Sequence, residues 1–343
     1  MAIGSGDGRL HVYFGDGTSF SNHQEYSTGE YSILATDMTS DGRWIVVAGE
    51  KKNPQPECRV AVLQYQPNSN TYQVFFNFYN SMTGAYAVAI SNDHQWLFSG
   101  HGLTFEVEVF KFVGDTFKPH SVLKLTGPTV SLDISDDGML LAIGIFQAET
   151  VIFRFTGDGY ELFQEIEYGI TQAVRPVSIT GDGNRLVISH SSMFFVEIYE
   201  FNTNSQQFER VEVDGSLAFP NEVIMHAEFN SKQDRVAIAT TGANYVFSYS
   251  NGTIEAIFKQ ESEGYYITFS RDDKYMVTGE VGIARVFQPK DSNPCNLSFC
   301  LSCNDSQCLV CNELLDYHLN ETSGECELCE IDNCVQCLNL THC

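Results

Sequence analysis

The chain has 343 residues, of which 43% are hydrophobic and 13% aromatic, so it has enough apolar material to build a large core. It carries 44 acidic against 19 basic residues, a formal net charge of −25, which excludes ready binding to nucleic acid or to an anionic membrane surface. The longest strongly apolar run, MLLAIGIF, is too short to span a bilayer.

The N-terminal segment begins inside a repeat. Residues Ala2 to Gly17 read as a shorter copy of Leu140 to Gly159. Six fuller copies of the unit's first half combine a small or polar residue, a polar or acidic turn and an apolar run. These copies begin at Thr39, Ser91, Ser135, Thr180, Asn230 and Ser270. Their starts lie 40 to 52 residues apart, a period typical of four-stranded propeller blades.

Each unit predicts two β-hairpins. Turns such as SDDG reverse the chain, because Asp side chains bond to nearby backbone and Gly accepts a positive φ. A second hairpin carries aromatic residues on both sides of a polar turn, as in FRFTGDGYELF. Val151, Phe153 and Phe155 recur with the period of two that a strand requires. We therefore expect the aromatic residues to pack between neighbouring blades.

The strand count predicts about seven blades over residues 1–290. The N-terminal segment supplies the second, third and fourth strands of one blade, six units follow, and the last, Gly264 to Gln288, lacks its fourth strand. No signal peptide precedes a sequence that otherwise resembles a secreted one, so we expect a piece of a longer product. We also expect the ring to close internally, with N-terminal strands completing the last sheet.

Residues 291–343 form a second, cysteine-rich region. It contains CxxCxxxxCxxC twice, 26 residues apart, and ten of the chain's eleven cysteines. The ten are Cys295, Cys300, Cys303, Cys308, Cys311, Cys326, Cys329, Cys334, Cys337 and Cys343. An even number of cysteines in a segment with little apolar material predicts disulfide bonds. A zinc site at Cys308, Cys311, Cys326 and Cys329 is the alternative.

The N-glycosylation sequons indicate an oxidising compartment, in which disulfide bonds can form. Four N-x-S/T sequences lie in the cysteine-rich region and a fifth lies in the repeat array. The predicted glycosylation sites are Asn251, Asn296, Asn304, Asn320 and Asn339. We therefore expect a secreted or cell-surface glycoprotein.

Two resemblances follow from these motifs. The cysteine-rich region is similar to furin-like and growth-factor-receptor-like repeats, and more loosely to EGF-like modules, which are abundant in surface proteins of unicellular eukaryotes. The array resembles an integrin-type FG-GAP propeller in SITGDGNRLVIS followed by FVEIYEFNTNSQQFE. It is less like WD40 repeats, since no Trp-Asp dipeptide occurs. The acids Asp133, Asp136 and Asp137 lack the spacing of the integrin calcium loop.

No local sequence predicts catalysis. Gly-x-Ser-x-Gly, HExxH and phosphate-loop motifs are missing from the sequence, so no cofactor is expected. One candidate site remains, because polar residues directly follow the second strand of several blades. They are Glu50, His101, His190 and Glu280, which could form an axial ring that binds a metal or a sugar.

Three classes of function remain open. The favoured class is a non-enzymatic structural subunit of an extracellular filament or coat, for which flagellar mastigonemes are one setting that the resemblance allows. The others are a receptor or adhesin ectodomain that binds protein or glycan, and a propeller hydrolase. In the favoured class the partners are other copies or other extracellular proteins, and the cysteine-rich region makes the contacts between subunits.

Overall fold

In the residues that it describes, the computed structural model contains β-strands and connecting segments. It describes residues 1–15, 20–51, 57–80, 84–146, 149–167, 174–190, 194–213, 217–280, 283–287, 300–304, 307–311, 317–320 and 325–328. The described part of the chain contains no helix with the length and hydropathy of a membrane crossing.

Seven antiparallel sheets, named sheets 1 to 7, follow one another along residues 1–287. Sheet 1 contains β1 (Ala2–Gly4), β2 (Arg9–Gly15) and β3 (Phe20–Ser27). Sheet 2 contains β4 (Ser32–Met38), β5 (Trp44–Lys51), β6 (Glu57–Gln66) and β7 (Thr71–Asn80). Sheet 3 contains β8 (Ala85–Ile90), β9 (Trp96–His101), β10 (Glu106–Val113) and β11 (Thr116–Lys124). Sheet 4 contains β12 (Thr129–Ile134), β13 (Leu140–Ile145), β14 (Glu149–Phe155) and β15 (Tyr160–Glu167).

The last three sheets continue the same order. Sheet 5 contains β16 (Val174–Ile179), β17 (Arg185–His190), β18 (Phe195–Asn202) and β19 (Gln207–Arg210). Sheet 6 contains β20 (Ile224–Phe229), β21 (Arg235–Thr240), β22 (Ala243–Ser250) and β23 (Thr253–Glu261). Sheet 7 contains β24 (Tyr266–Phe269), β25 (Met276–Glu280) and β26 (Ile283–Phe287).

The architecture is an all-β propeller with seven blades, as predicted. Sheets 2 to 6 have four strands, and in the described residues sheets 1 and 7 have three. We expected N-terminal strands to complete the last sheet and so close the ring. In the described residues this pairing is not formed, since none of β1 to β3 pairs with β24 to β26. The strands β1 and β25 both correspond to the second strand of the repeat unit. The N-terminal and C-terminal segments of the propeller therefore form two separate blades.

The turn between the first two strands of each unit confirms the predicted chemistry. Ser135 Oγ donates to Asp137 Oδ1 at 2.6 Å and accepts the N–H of Leu140 at 3.0 Å. Gly138 has a φ of 69°, in the left-handed region. The equivalent residues in the other five copies share this conformation: Gly42, His94, Gly183, Gln233 and Asp273. The side-chain bonds hold this backbone shape even where the residue is not glycine.

Aromatic side chains fill the spaces between blades, as the alternating pattern predicts. Trp44 of sheet 2 packs edge-on against Phe75, with ring centroids 4.9 Å apart, and against Phe112 of sheet 3, at 6.0 Å. Phe78 and Phe110 cross the same boundary, with centroids 4.9 Å apart. The core is therefore divided into layers between consecutive sheets.

The cysteine-rich region contains four described strands. These are β27 (Cys300–Asn304), β28 (Gln307–Cys311), β29 (Tyr317–Asn320) and β30 (Glu325–Leu328). They form two hairpins, and the backbone register sets Cys300 opposite Cys311 and Cys303 opposite Cys308. Cys295, Cys329, Cys334, Cys337 and Cys343 lie outside the described residues, as do Asn296 and Asn339. Disulfide bonding and the boundary at residue 290 stay predictions.

Candidate functional site

The first strand of each of sheets 2 to 7 lies nearest the axis of the ring. Neighbouring sheets contact each other mainly through these strands: β4 with β8, β8 with β12, and so on to β24. In all five four-stranded sheets the first strand has a bulge near its start. The residues at the bulges are Leu34, Tyr86, Val130, Pro176 and Met225. Apolar side chains therefore surround one end of the axis.

Three carboxylates near the other end of these strands join neighbouring blades. Asp37 Oδ2 accepts the N–H of Ile90 at 2.9 Å, which links sheet 2 to sheet 3. Asp133 Oδ2 accepts the N–H of Ile179 at 2.8 Å. Glu228 Oε1 accepts the N–H of Phe269 at 2.7 Å. The carboxylates thus come from alternate sheets, and each bonds to the backbone of the sheet that follows.

The environment raises the pKa of all three carboxylates. Burial raises the pKa of Asp37 to about 6, against the hydrogen bonds from Ile90 and Met38. Burial raises that of Asp133 to about 7, and the charge of Asp37 adds to the shift. Burial raises the pKa of Glu228 to about 8, and the charge of Asp133 contributes. At neutral pH the site therefore contains a mainly ionised carboxylate, Asp37, and a mainly protonated one, Glu228.

Two aromatic side chains complete this axial cluster, which we define as Asp37, Asp133, Glu228, His226 and Tyr266. The rings of His226 and Tyr266 have centroids 4.0 Å apart. Burial lowers the pKa of His226 to about 4, so its imidazole is neutral at pH 7. Burial raises the pKa of Tyr266 well above its usual range, and the charges of Glu228, Asp37 and Asp133 raise it further. Tyr266 nevertheless keeps 45% of its surface exposed, so this side chain of the axial cluster is in contact with solvent.

The predicted axial ring of Glu50, His101, His190 and Glu280 is divided among four separate contacts. Glu50 Oε2 accepts from the Tyr86 hydroxyl at 3.1 Å, and His101 Nε2 lies 2.9 Å from Glu108 Oε2. His190 Nε2 lies 3.0 Å from Glu197 Oε2, and Glu280 Oε1 accepts from Gln260 Nε2 at 3.1 Å. Across the described ranges, no three His, Cys, Asp or Glu side chains are grouped to hold a metal ion. A ligand shared by the four stays a prediction.

His190 belongs to a buried polar network in sheet 5. Glu197 accepts from His190, from the Tyr199 hydroxyl at 3.1 Å and from Arg210 Nε at 3.0 Å. Burial alone would raise the pKa of Glu197, but the hydrogen bond and charge of His190 and the charge of Arg210 outweigh it and lower the pKa. A cavity of about 270 Å³, whose walls include Phe195, Glu197, Arg210 and Leu217, adjoins this network.

Sequence reasoning missed the axial carboxylates, although the repeat contains a signal for them. Asp37, Asp133 and Glu228 each precede the turn residue of their copy by two positions, at Thr39, Ser135 and Asn230. The same position holds Ala89, Ser178 and Thr268 in the other copies. The signal in the sequence was an acidic residue in the otherwise largely apolar first strand of every second blade.

Comparisons with known proteins agree with the fold. No family model and no curated protein matches this sequence. The chain is similar to the solved structure of a candidate 6-phosphogluconolactonase from Bacteroides uniformis, with a TM-score of 0.68 and 10% identity over 82% of this chain and 88% of that one. It is similar to the periplasmic gluconolactonase of Pseudomonas aeruginosa, with a TM-score of 0.60 and 17% identity over 74% and 77%.

A third similar structure is the β-propeller domain of Cps50 (Swd1) from Myceliophteria thermophila. Its TM-score is 0.66, with 12% identity over 84% of this chain and 91% of that one. At these identities the likeness establishes the fold: the protein is a seven-bladed β-propeller.

These comparisons correct two predictions. The prediction of a non-enzymatic structural subunit of a filament or coat is wrong, because solved structures with this fold are named as lactonases. The prediction that the chain is not an enzyme is wrong on the same finding. The error has a physical origin, since blade repeats encode packing and a site assembled from several blades leaves no contiguous motif.

Proposed function

We propose that this protein is a propeller hydrolase that opens a small lactone at the axial cluster. The observation that carries the proposal is the separation of two axial pKa values, about 6 for Asp37 and about 8 for Glu228. Pairs of carboxyl groups whose environments push their pKa values apart can serve as base and acid at one pH. The names of two of the similar structures, both gluconolactonases, support the choice of a lactone.

The proposed reaction uses one group for each proton transfer. The ionised carboxylate of Asp37 takes a proton from water as the water oxygen attacks the lactone carbonyl carbon. The protonated carboxyl of Glu228 gives its proton to the ring oxygen as the carbon–oxygen bond breaks. The product is a hydroxy acid. This step leaves Asp37 protonated, Glu228 ionised and the product as a neutral carboxylic acid. Asp37 then loses its proton to solvent, Glu228 regains one, and the product acid ionises, so that its carboxylate is repelled by the ionised carboxylate of Asp37 and released.

The charge of the site favours an uncharged lactone over a phosphorylated one. The axial cluster contributes three carboxyl groups and no lysine or arginine. Arg271 lies near it, since its charge lowers the pKa of Asp37 and of Glu228. That guanidinium is already paired with Asp136, so it is not free to neutralise a phosphate. The carboxylates of the axial cluster would therefore repel a dianionic phosphate but not an uncharged lactone.

The test is hydrolysis of glucono-1,5-lactone above the rate in buffer alone. Glu228→Gln keeps the oxygen that accepts the N–H of Phe269, and Asp37→Asn keeps one of the two oxygens that accept the N–H groups of Ile90 and Met38. Both variants remove the titrating function, so a fall in kcat of roughly 10²-fold or more is expected for each. Glu165→Gln, an exposed carboxylate, is the matched control and should leave kcat unchanged. Unchanged rates in all three variants would contradict the assignment.

We further propose that residues 291–343 form a disulfide-bonded, glycosylated module of an exported protein. The ten cysteines and the sequons support this, as does the exposed position of Asn251 in the turn after β22. The periplasmic origin of one similar structure points the same way. The FG-GAP and furin-like resemblances, and contacts with other extracellular proteins, stay predictions. Intact mass before and after reduction with alkylation tests the module, and ten free thiols with one bound zinc would contradict it.

A further inference from the structure

Three buried oxygen atoms at the boundary of sheets 6 and 7 have no hydrogen-bond partner among the described residues. They are Asn244 Oδ1, Gln260 Oε1 and Thr278 Oγ1. Asn244 and Thr278 are 0% exposed, so water outside the protein does not reach them. Buried polar atoms without partners are rare, and each one needs a physical explanation.

The register of the strands brings these atoms to one place. Asn244 on β22 is opposite Gln260 on β23, so both side chains lie on one face of sheet 6. The apolar side chains of that face, Val246 and Phe258, pack in one cluster with Met276 of sheet 7. Thr278 and Glu280 follow Met276 at intervals of two and share its face. The two polar pairs therefore face each other directly beside the apolar contact.

Glu280 supplies a carboxylate to this group. Gln260 Nε2 donates to Glu280 Oε1 at 3.1 Å, which fixes the amide and leaves Gln260 Oε1 as an acceptor. Arg285 Nε also donates to Glu280 Oε1, at 2.9 Å, from a side chain that is 48% exposed.

Gly264 makes room for the asparagine oxygen. A Cβ at Gly264 would lie 2.1 Å from Asn244 Oδ1, so a larger residue there would displace this oxygen. The glycine thus allows the backbone before β24 to lie directly against the buried amide.

We propose that Asn244, Gln260, Thr278 and Glu280 form a binding site for a hard cation of the Ca²⁺ type. Amide, hydroxyl and carboxylate oxygens are the ligands that Ca²⁺ takes. The site holds one carboxylate, and Arg285 competes for it, so the charge count predicts weak binding, with a Kd of roughly 10⁻⁴ to 10⁻³ M. Such a concentration range is typical of extracellular calcium-binding modules.

The position of the site suggests what the cation does. Sheet 7 is the three-stranded terminal blade, and the side chains of β26 are largely exposed. The four ligands come in equal number from sheet 6 and sheet 7, so a bound cation joins the terminal blade to the ring. This role is independent of lactone hydrolysis, because none of the four residues belongs to the axial cluster.

The test compares thermal unfolding of the full chain with and without 5 mM Ca²⁺ at about constant ionic strength. We expect Ca²⁺ to raise the Tm of the wild type, and to raise it more for Asn244→Asp, which adds a negative ligand, and for Arg285→Gln, which removes the competitor. Glu280→Gln should lose the response, while Glu261→Gln, an exposed carboxylate next to Gln260 on β23, should keep it.

Three outcomes would overturn the proposal. One is a Tm that does not respond to Ca²⁺ in the wild type or in Asn244→Asp, which would mean that water fills the site. The second is an equal rise with K⁺ at the same ionic strength, which would show general screening. The third is a Ca²⁺ response that survives in Glu280→Gln, which would place the cation elsewhere.

Discussion

Arg271 and Asp136 are 135 positions apart in the sequence and form an ion pair between sheets 7 and 4. The two residues occupy the same position in their turns, directly after Ser270 and Ser135. Asn92, at that position in sheet 3, donates to the same Asp136 oxygen at 2.6 Å. Polar contacts therefore connect the turns of blades that are not neighbours, at the end of the axis beyond the carboxylates.

Replacing Arg271 should change the pKa values of the axial carboxyl groups but have little effect on the stability of the protein. Both partners are about half exposed, so Arg271→Gln is expected to cost under about 1 kcal/mol of unfolding free energy. The charge of Arg271 lowers the pKa of Asp37 and of Glu228, so both values should rise in the variant. Titration of the carboxyl carbon resonances by NMR measures this. Unchanged resonances would show that the guanidinium does not act on the axial cluster.

Stability should fall as the pH rises from 6.5 to 8. The pKa of Asp133 is raised from 3.8 to about 7 and that of Glu228 from 4.5 to about 8, so the folded state retains protons that the unfolded state has lost. As Asp133 and Glu228 ionise in the folded state, the free energy of unfolding falls by about 2 kcal/mol between pH 6.5 and 8. The lowered pKa of His226 has the opposite effect and makes stability rise with pH, but only between about pH 4 and 6.5.

Urea denaturation at a series of pH values checks this slope. Glu228→Gln should flatten it, because glutamine does not titrate, whereas Glu165→Gln should leave it unchanged. A stability that rises between pH 6.5 and 8 would contradict the raised pKa values.

The boundary between sheets 2 and 3 should depend on Trp44. Trp44 is 4% exposed and contacts Phe75 and Phe112, so Trp44→Ala removes a large buried surface and is expected to cost about 3–5 kcal/mol. Val122→Ala, on the outer strand β11 and 47% exposed, should stay within about 0.5 kcal/mol of the wild type. Equal losses in the two variants would show that the blades do not pack through this ring.

The blades could be predicted from the sequence because their determinants are local. The bonds around Ser135, Asp137 and Leu140 span six residues, and the same pattern recurs in four of the other five copies of the repeat. In the copy at Asn230, the side chain bonds to Asp234 instead. The three strands described in sheet 1 followed from the same alignment, since Ala2 to Gly17 corresponds to the later strands of a unit.

The axial cluster could not be predicted because its partners are remote in sequence. Asp133 bonds to Ile179, and Glu228 bonds to Phe269, in each case across a whole blade. Of the four residues predicted for the axial ring, His101, His190 and Glu280 occupy equivalent positions in their copies, whereas Glu50 lies one position further along than Gly49, the equivalent of His101.

The pH dependence of kcat/KM for glucono-1,5-lactone, corrected for hydrolysis in buffer, tests the roles of Asp37 as base and Glu228 as acid. A base with a pKa of about 6 and an acid with a pKa of about 8 predict a bell-shaped profile with a maximum near pH 7. Asp37→Asn should abolish the acidic limb and Glu228→Gln the alkaline limb, each with a large loss of rate. Hydrolysis no faster than in buffer, or a profile that neither variant alters, would contradict hydrolysis at the axial cluster.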